Sequence, residues 1–122
     1  MIRIMYDDLP PRELHPNARV HPWVKREAGR NFKQYFYVMA KALAGVSYTR
    51  ASVQYIFEVP DRRRRDPDKL MACMTWALDG LVAAKVVEED DYNHITILSP
   101  IVWVTPGKSR TIVEIDSIET RR

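Results

Sequence analysis

The sequence predicts an α+β fold: one small domain with two main helices packed on a mostly antiparallel or mixed sheet. Three observations carry that reading. Two segments repeat apolar residues at helical spacing, one central segment alternates at strand spacing, and the C-terminal third is short, β-branched and broken by turn residues. A chain of 122 residues with 46% hydrophobic and 29% charged residues has the size and balance of a single globular unit with its own core.

The elements follow in order. The opening "IRIMY" reads as a short strand. Residues 7–29 hold four of the eight prolines and read as a long irregular stretch, because proline fixes φ and removes a donor. In 31–46, Phe32, Tyr35, Phe36, Met39, Ala40 and Leu43 form one apolar helical stripe, with Asn31 a candidate N-cap and Gly45 a candidate stop. Segment 50–60 alternates: Val53, Tyr55, Phe57 and Val59 face one way, and Ser52, Gln54 and Glu58 the other, with Ile56 the exception. A second helix of some sixteen residues is expected within 66–87, capped by Asp66 and started by Pro67, with Leu70, Cys73, Met74, Ala77, Leu78 and Leu81 as its stripe and Gly80 weakening it near the end. Two strands, 93–105 and 110–118, are then expected to pair antiparallel across the "PGKS" turn.

Composition excludes several classes. One cysteine, Cys73, permits no internal disulfide and is expected in the core; with three scattered histidines it makes a zinc site implausible. The N-terminus lacks a basic segment followed by an apolar one, and the longest apolar run is broken by Pro100, so an intracellular protein without a membrane span is expected. A net charge of +3 permits nucleic acid as a partner.

The distribution of that charge is more informative. "PDRRRRDPDKL" sets Arg62, Arg63, Arg64 and Arg65 between Asp61 and the pair Asp66 and Asp68, at a helix start. A second acidic run, Glu88, Glu89, Asp90 and Asp91, follows that helix. Mg²⁺ wants hard oxygen ligands, and a few carboxylates plus a phosphate oxygen suffice. A metal so held can activate water and stabilise charge on a phosphodiester. Carboxylates alone would repel DNA; the arginines would offset this and grip phosphates. A helix of some sixteen residues is ~24 Å long, so its two ends cannot share one metal. The acids meet only between chains, or if the helix is short and "VVEEDD" folds back along it. Each feature also has a plain structural reading: a helix cap, a solvated turn, a charged surface loop.

The segment "PDRRRRDPDKL…ALDGLVAAKVVEEDD" resembles the signature of RusA-type Holliday-junction resolvases, most strongly from Phe57 to about His94, and "LPPRELHPNARVHPW" is similar to that family's opening loop. The resemblance implies a homodimeric, Mg²⁺-dependent endonuclease acting on branched DNA, with Mn²⁺ a possible substitute. It puts the metal-binding aspartates on Asp66 and Asp68 and the third acid on Asp90, by spacing from Asp79, with Glu89 and Asp91 as neighbours able to replace it. Arg62 to Arg65 would hold backbone phosphates, with Arg19, Lys25 and Arg26 from the preceding loop; Asn17 matches the family's loop asparagine. The sequence departs from the pattern where an asparagine commonly follows the second aspartate, which is Lys69 here, and where members place a lysine, at Ala72 or Thr75 here. Lys69 either substitutes for that lysine in the catalytic set or marks loss of turnover. A junction-binding protein of the same fold without cleavage is therefore the alternative.

Overall fold

A nine-residue strand at the centre of the sheet organises the fold. In the computed structural model, which describes residues 1–43, 45, 47–88 and 93–118, strand β1 (Ile2–Tyr6) leads through a 3₁₀ turn (Arg12–Leu14) to helix α1 (Pro22–Leu43). Strand β2 (Ala51–Val59), helix α2 (Pro67–Ala83) and strands β3 (Ile95–Ile97), β4 (Ile101–Val104) and β5 (Arg110–Ser117) follow. The sheet is mixed. β5 lies between β1 and β2 and is antiparallel to both, while β3 and β4 follow one another along the other side of β2, both parallel to it.

β2 takes the central place because it is covered along most of its length: seven of its nine residues are buried, Glu58 among them through its ion pair with Arg110 at 3.2 Å. Val53, Tyr55 and Phe57 meet the helices, whose buried side includes Phe32, Phe36 and Ala40 from α1 and Leu70, Cys73, Met74, Ala77 and Leu81 from α2. Tyr6 from β1 joins Phe32, Tyr35 and Phe36 in an aromatic cluster with centroids 5.0–6.2 Å apart, edge-to-face except for the tilted Tyr6–Phe36 pair. The aromatic stripe of α1 is thus mostly core, although Leu43 at its end is exposed.

Three expectations about these elements are corrected. The helix around Phe32 begins at Pro22, so 22–29 is not irregular. Proline suits the first helical position, where no N–H is needed, and the His21 ring nitrogen accepts the Trp23 N–H at 3.3 Å. The "PGKS" turn does not join an antiparallel pair. Residues 105–109 pass over the end of β2, with the Thr105 N–H on the Val59 carbonyl at 2.8 Å and the Gly107 N–H on the Pro60 carbonyl at 3.3 Å. β4 and β5 therefore flank β2 instead of pairing. Segment 93–105 is two strands rather than one, interrupted at 98–100. Both are parallel to β2 because α2 runs back along the sheet before the chain re-enters it.

The second helix has 17 residues, close to the sixteen expected, and stops well before Glu88. It ends at Ala83, where Lys85 takes a left-handed conformation (φ 65) and the Val86 and Lys85 N–H groups bond the Leu81 and Val82 carbonyls at 3.2 and 3.0 Å. This pair of bonds terminates a helix by reversing the chain. A side chain with a Cβ is strained there, so Lys85→Gly is expected to raise stability by about 1 kcal/mol; urea unfolding checks it. Gly80 has a different role from the one expected. A Cβ there would lie 2.5 Å from the Lys33 carbonyl oxygen, so this glycine sets how closely α2 approaches α1. One turn-pair away, the Trp76 ring covers Gly29 of α1 with less than 3 Å available for a Cβ. Trp23 and Trp103, by contrast, are exposed and not core. Among the described residues, no helix is long and apolar enough to cross a membrane.

Candidate functional site

The arginine run is a folded loop. The Asp61 carboxylate accepts the Arg63 N–H at 2.9 Å, closing a turn two residues long. The Arg65 guanidinium reaches back to the same carboxylate oxygen at 2.9 Å, and to the Asp61 and Arg63 carbonyls at 3.1 Å each. The Arg63 N–H first, and then the Arg65 guanidinium, hold the Asp61 carboxyl below its usual range. Arg65 is consequently a mostly covered structural residue, with 13% of its side chain exposed. Arg62, Arg63 and Arg64 remain at the surface.

Asp66 caps α2 as expected. It has extended backbone, and one carboxylate oxygen accepts the Asp68 N–H at 3.0 Å. Its other oxygen is not engaged by that bond. Asp68 stands in the first turn, exposed, beside it. The four leading N–H groups of a helix carry partial positive charge, which favours anions and ionised carboxylates at this end.

In front of that terminus lies a cleft of about 850 Å³, lined by Leu9, Pro10, Arg12 and His15 from the 7–21 stretch and by Arg63, Arg64, Arg65, Asp66, Pro67, Lys69 and Leu70. Two segments some 50 residues apart in sequence thus build one wall each. Five permanent cations face one carboxylate, and only Arg65 is neutralised by an ion pair with Asp61. Arg12 belongs to this site and was not singled out from the sequence. Its signal was weak: it follows Pro10 and Pro11, which shape the loop into the 3₁₀ turn that presents it. His15 shares the cleft. Partial burial first, and then the Lys69 ammonium, lower its pKa below 6.5. An anion bound beside it would reverse that effect. Phosphate affinity is therefore expected to rise as pH falls through the range just below 6.5, and His15→Gln to flatten the rise, as measured by isothermal titration at several pH values.

The remaining sequence candidates are dispersed. Lys69 is in the cleft. Arg19 lines a neighbouring groove that shares Arg12. Arg26 and Lys25 stand on α1 rather than in a loop: Arg26 shares a shallow groove with Trp23, Glu27 and Arg30, and Lys25 is close enough to Cys73 to act on its thiol. Asn17 is exposed inside the turn closed by the Ala18 N–H on the His15 carbonyl at 3.0 Å. Cys73 is buried, its pKa pushed up to about 11 by burial, and its Sγ donates to the Lys69 carbonyl; it is core packing, as expected.

The third acid, Asp90, and its neighbours Glu89 and Asp91 lie outside the described residues. Glu88, which precedes them, is at the opposite end of α2 from Asp66. Its N–H bonds the Tyr48 carbonyl at 3.3 Å, and its carboxylate lies 3.7 Å from the His94 ring. The early helix end lets the chain reverse, and Val86 and Val87 are buried there, with Val87 bridged to Tyr48 at the start of β2. A 17-residue helix separates the two ends by ~25 Å. Among the described residues, no group of three or more His, Cys, Asp or Glu could hold a metal. Asp66 and Asp68 remain a two-carboxylate set of hard oxygen donors beside a cationic cleft. That suits Mg²⁺, which keeps several waters and takes substrate phosphate as a further ligand.

No protein-family model matches the chain, and no curated protein matches it as a relative.

Proposed function

We propose that this chain is a Mg²⁺-dependent endodeoxyribonuclease that cuts branched DNA, with four-way junctions as the substrate, working as a homodimer. One observation carries the reading: a cleft lined by Arg12, Arg63, Arg64 and Lys69 opens onto the helix end that Asp66 and Asp68 occupy. The similarity of "PDRRRRDPDKL" to the RusA-type resolvase signature supplies the substrate class.

In this mechanism Arg63, Arg64 and Arg12 bind phosphates flanking the scissile bond, and the α2 terminus adds its N–H dipoles. Asp66 and Asp68 hold the metal, the Asp66 carboxylate oriented by its bond to the Asp68 N–H. Bound there, Mg²⁺ would activate water and stabilise charge on the phosphoryl oxygens. Lys69 faces the same cleft and stabilises developing negative charge. Junction preference comes from two such sites related by a two-fold axis.

A second reading is favoured by one specific observation, the position of Glu88 at the far end of α2. If no third carboxylate reaches Asp66 and Asp68, the chain binds junctions without turnover. The test uses a labelled synthetic four-way junction, with Mg²⁺ or EDTA. Paired symmetric nicks that require the metal support the nuclease; tight binding without nicks moves the assignment to the binder. In either case Arg63→Ala with Arg64→Ala is expected to weaken junction binding and to reduce the dependence of log K on log salt by about two. An unchanged slope would remove the arginine loop from the DNA interface.

A further inference from the structure

Trp23 is a large aromatic left outside the core, among arginines. It stands in the first turn of α1 with 54% of its surface open to solvent. It lines a shallow groove of about 230 Å³ with Arg26, Glu27 and Arg30. These side chains share one face because positions 23, 26, 27 and 30 recur at helical spacing. The opposite face fixes them in place: Gly29 lies under the Trp76 ring of α2, and Phe32 is buried. The His21 ring sets the turn, accepting the Trp23 N–H and lying 5.9 Å from the Trp23 ring, centroid to centroid.

The cations around this ring are not neutralised. Arg26 and Arg30 are exposed, and neither makes an ion pair with a described residue. The basic surface also continues toward the cleft. Three residues before Trp23, Val20 lines a second groove with Arg19 and Arg12, and Arg12 in turn lines the cationic cleft in front of α2. From the arginine loop the surface therefore runs through Arg12 and Arg19 to Trp23, Arg26 and Arg30. Beyond the cleft the acids lining this path are Glu13 and Glu27, against four arginines.

Cations along a surface with an aromatic face among them suit a single nucleic-acid strand. The phosphates take the arginines, and an unpaired base stacks on the ring. A duplex uses only the first contact, because its bases are already stacked on one another. We propose that a single DNA strand leaving the cleft follows this path, with phosphates on Arg12 and Arg19 and an unpaired base stacked on Trp23 between Arg26 and Arg30. This rests on the reading of the cleft as a DNA site. It adds a substrate requirement: the bound DNA is unpaired on the side of the cleft that faces α1.

The test uses a labelled oligothymidylate of about ten nucleotides in EDTA, read by fluorescence anisotropy, beside a fully abasic strand of the same length and a blunt duplex. Trp23→Ala is expected to raise the dissociation constant for the thymidylate about tenfold, Trp23→Phe to keep most of the affinity, and neither to alter binding of the abasic strand or the duplex. Arg26→Ala with Arg30→Ala is expected to lower the slope of log K against log salt by about 1.4, at ~0.7 for each phosphate contact on a single strand. Trp103 is the control. It is 47% exposed on a stretch, 95–107, that carries no charged residue, and Trp103→Ala should change nothing. Circular dichroism checks each variant. Should Trp23→Ala fail to fold, Trp23→Leu keeps the apolar bulk without a ring to stack and is expected to show the same loss. Thymidylate binding indifferent to Trp23, an equal loss on the abasic strand or the duplex, an equal loss in Trp103→Ala, or an unchanged salt slope overturns the proposal. Junction cleavage is scored separately. Junction cutting by a protein whose strand binding ignores Trp23 sinks the path alone. Trp23-dependent strand binding by a protein that neither binds nor cuts junctions sinks the proposed function alone.

Discussion

Asp66→Asn is expected to leave the fold intact and to reduce metal-dependent junction cleavage by about a hundredfold to a thousandfold, the usual cost of removing one preorganised electrostatic group. The substitution separates two roles of one side chain. As a cap, Asp66 offers an oxygen to the Asp68 N–H at 3.0 Å, and asparagine offers an equivalent oxygen. Stability should therefore change by less than about 1 kcal/mol, whereas Asp66→Ala loses the cap and costs about that much. As the metal ligand proposed above, the asparagine would lack the negative charge that holds a divalent cation. Thermal melts beside nicking assays in Mg²⁺ and in Mn²⁺ distinguish the two. Full cleavage by Asp66→Asn would show that its carboxylate is a cap only, and Asp68→Asn would then carry the whole metal assignment.

The largest expected effect on stability is at Gly80. A valine there must place its Cβ where only 2.5 Å separates it from the Lys33 carbonyl and 3.2 Å from the Tyr37 nitrogen. Both are helix backbone, so no side chain can move aside, and α1 and α2 must separate along their whole contact. The loss of packing around Phe36, Met74 and Ala77 is expected to cost about 3 kcal/mol, at the upper end for overpacked positions. Gly45 is the control: a Cβ added there would meet nothing within 4 Å, so Gly45→Ala should change little. Urea midpoints of the two variants make the comparison. Equal midpoints would mean that the interhelical contact at Gly80 is looser than described.

The same contact explains where the sequence was and was not legible. Stripes and alternation are local signals, and they identified β1, β2, the buried face of α2 and the cap at Asp66 correctly. Gly80 sits among helix formers, and nothing local distinguishes a glycine that weakens a helix from one that admits a neighbouring backbone. The start of α1 was hidden for a similar reason. Pro22 reads as a breaker when it is counted with Pro10, Pro11 and Pro16, yet position alone decides whether proline ends a helix or begins one. The β4–β5 connection was misread because a turn signal says that the chain reverses, not which strand it then meets; β2, buried along most of its length, pairs with both. At the site, the loop and cap were readable because their residues are contiguous. Arg12 was not, since its contribution depends on the 3₁₀ turn that brings a distant segment against the arginine loop; His15 was legible only as a loop histidine within reach of phosphate.

The place of β5 between β1 and β2 also has a consequence for biosynthesis. Ile2 pairs with Ile115, and Ala51 with Ser117, so the first strand made waits for the last before it can join the sheet. While the nascent chain lengthens, the two helices can meet each other, but β1 has no hydrogen-bonding neighbour and β2 presents an open flank. The sheet is therefore completed only after residues 1–117 have all left the ribosome, and its long-range pairing makes that step slow relative to helix formation. Until then the apolar residues of β1 and β2 are exposed to whatever chaperones or neighbouring chains are at hand.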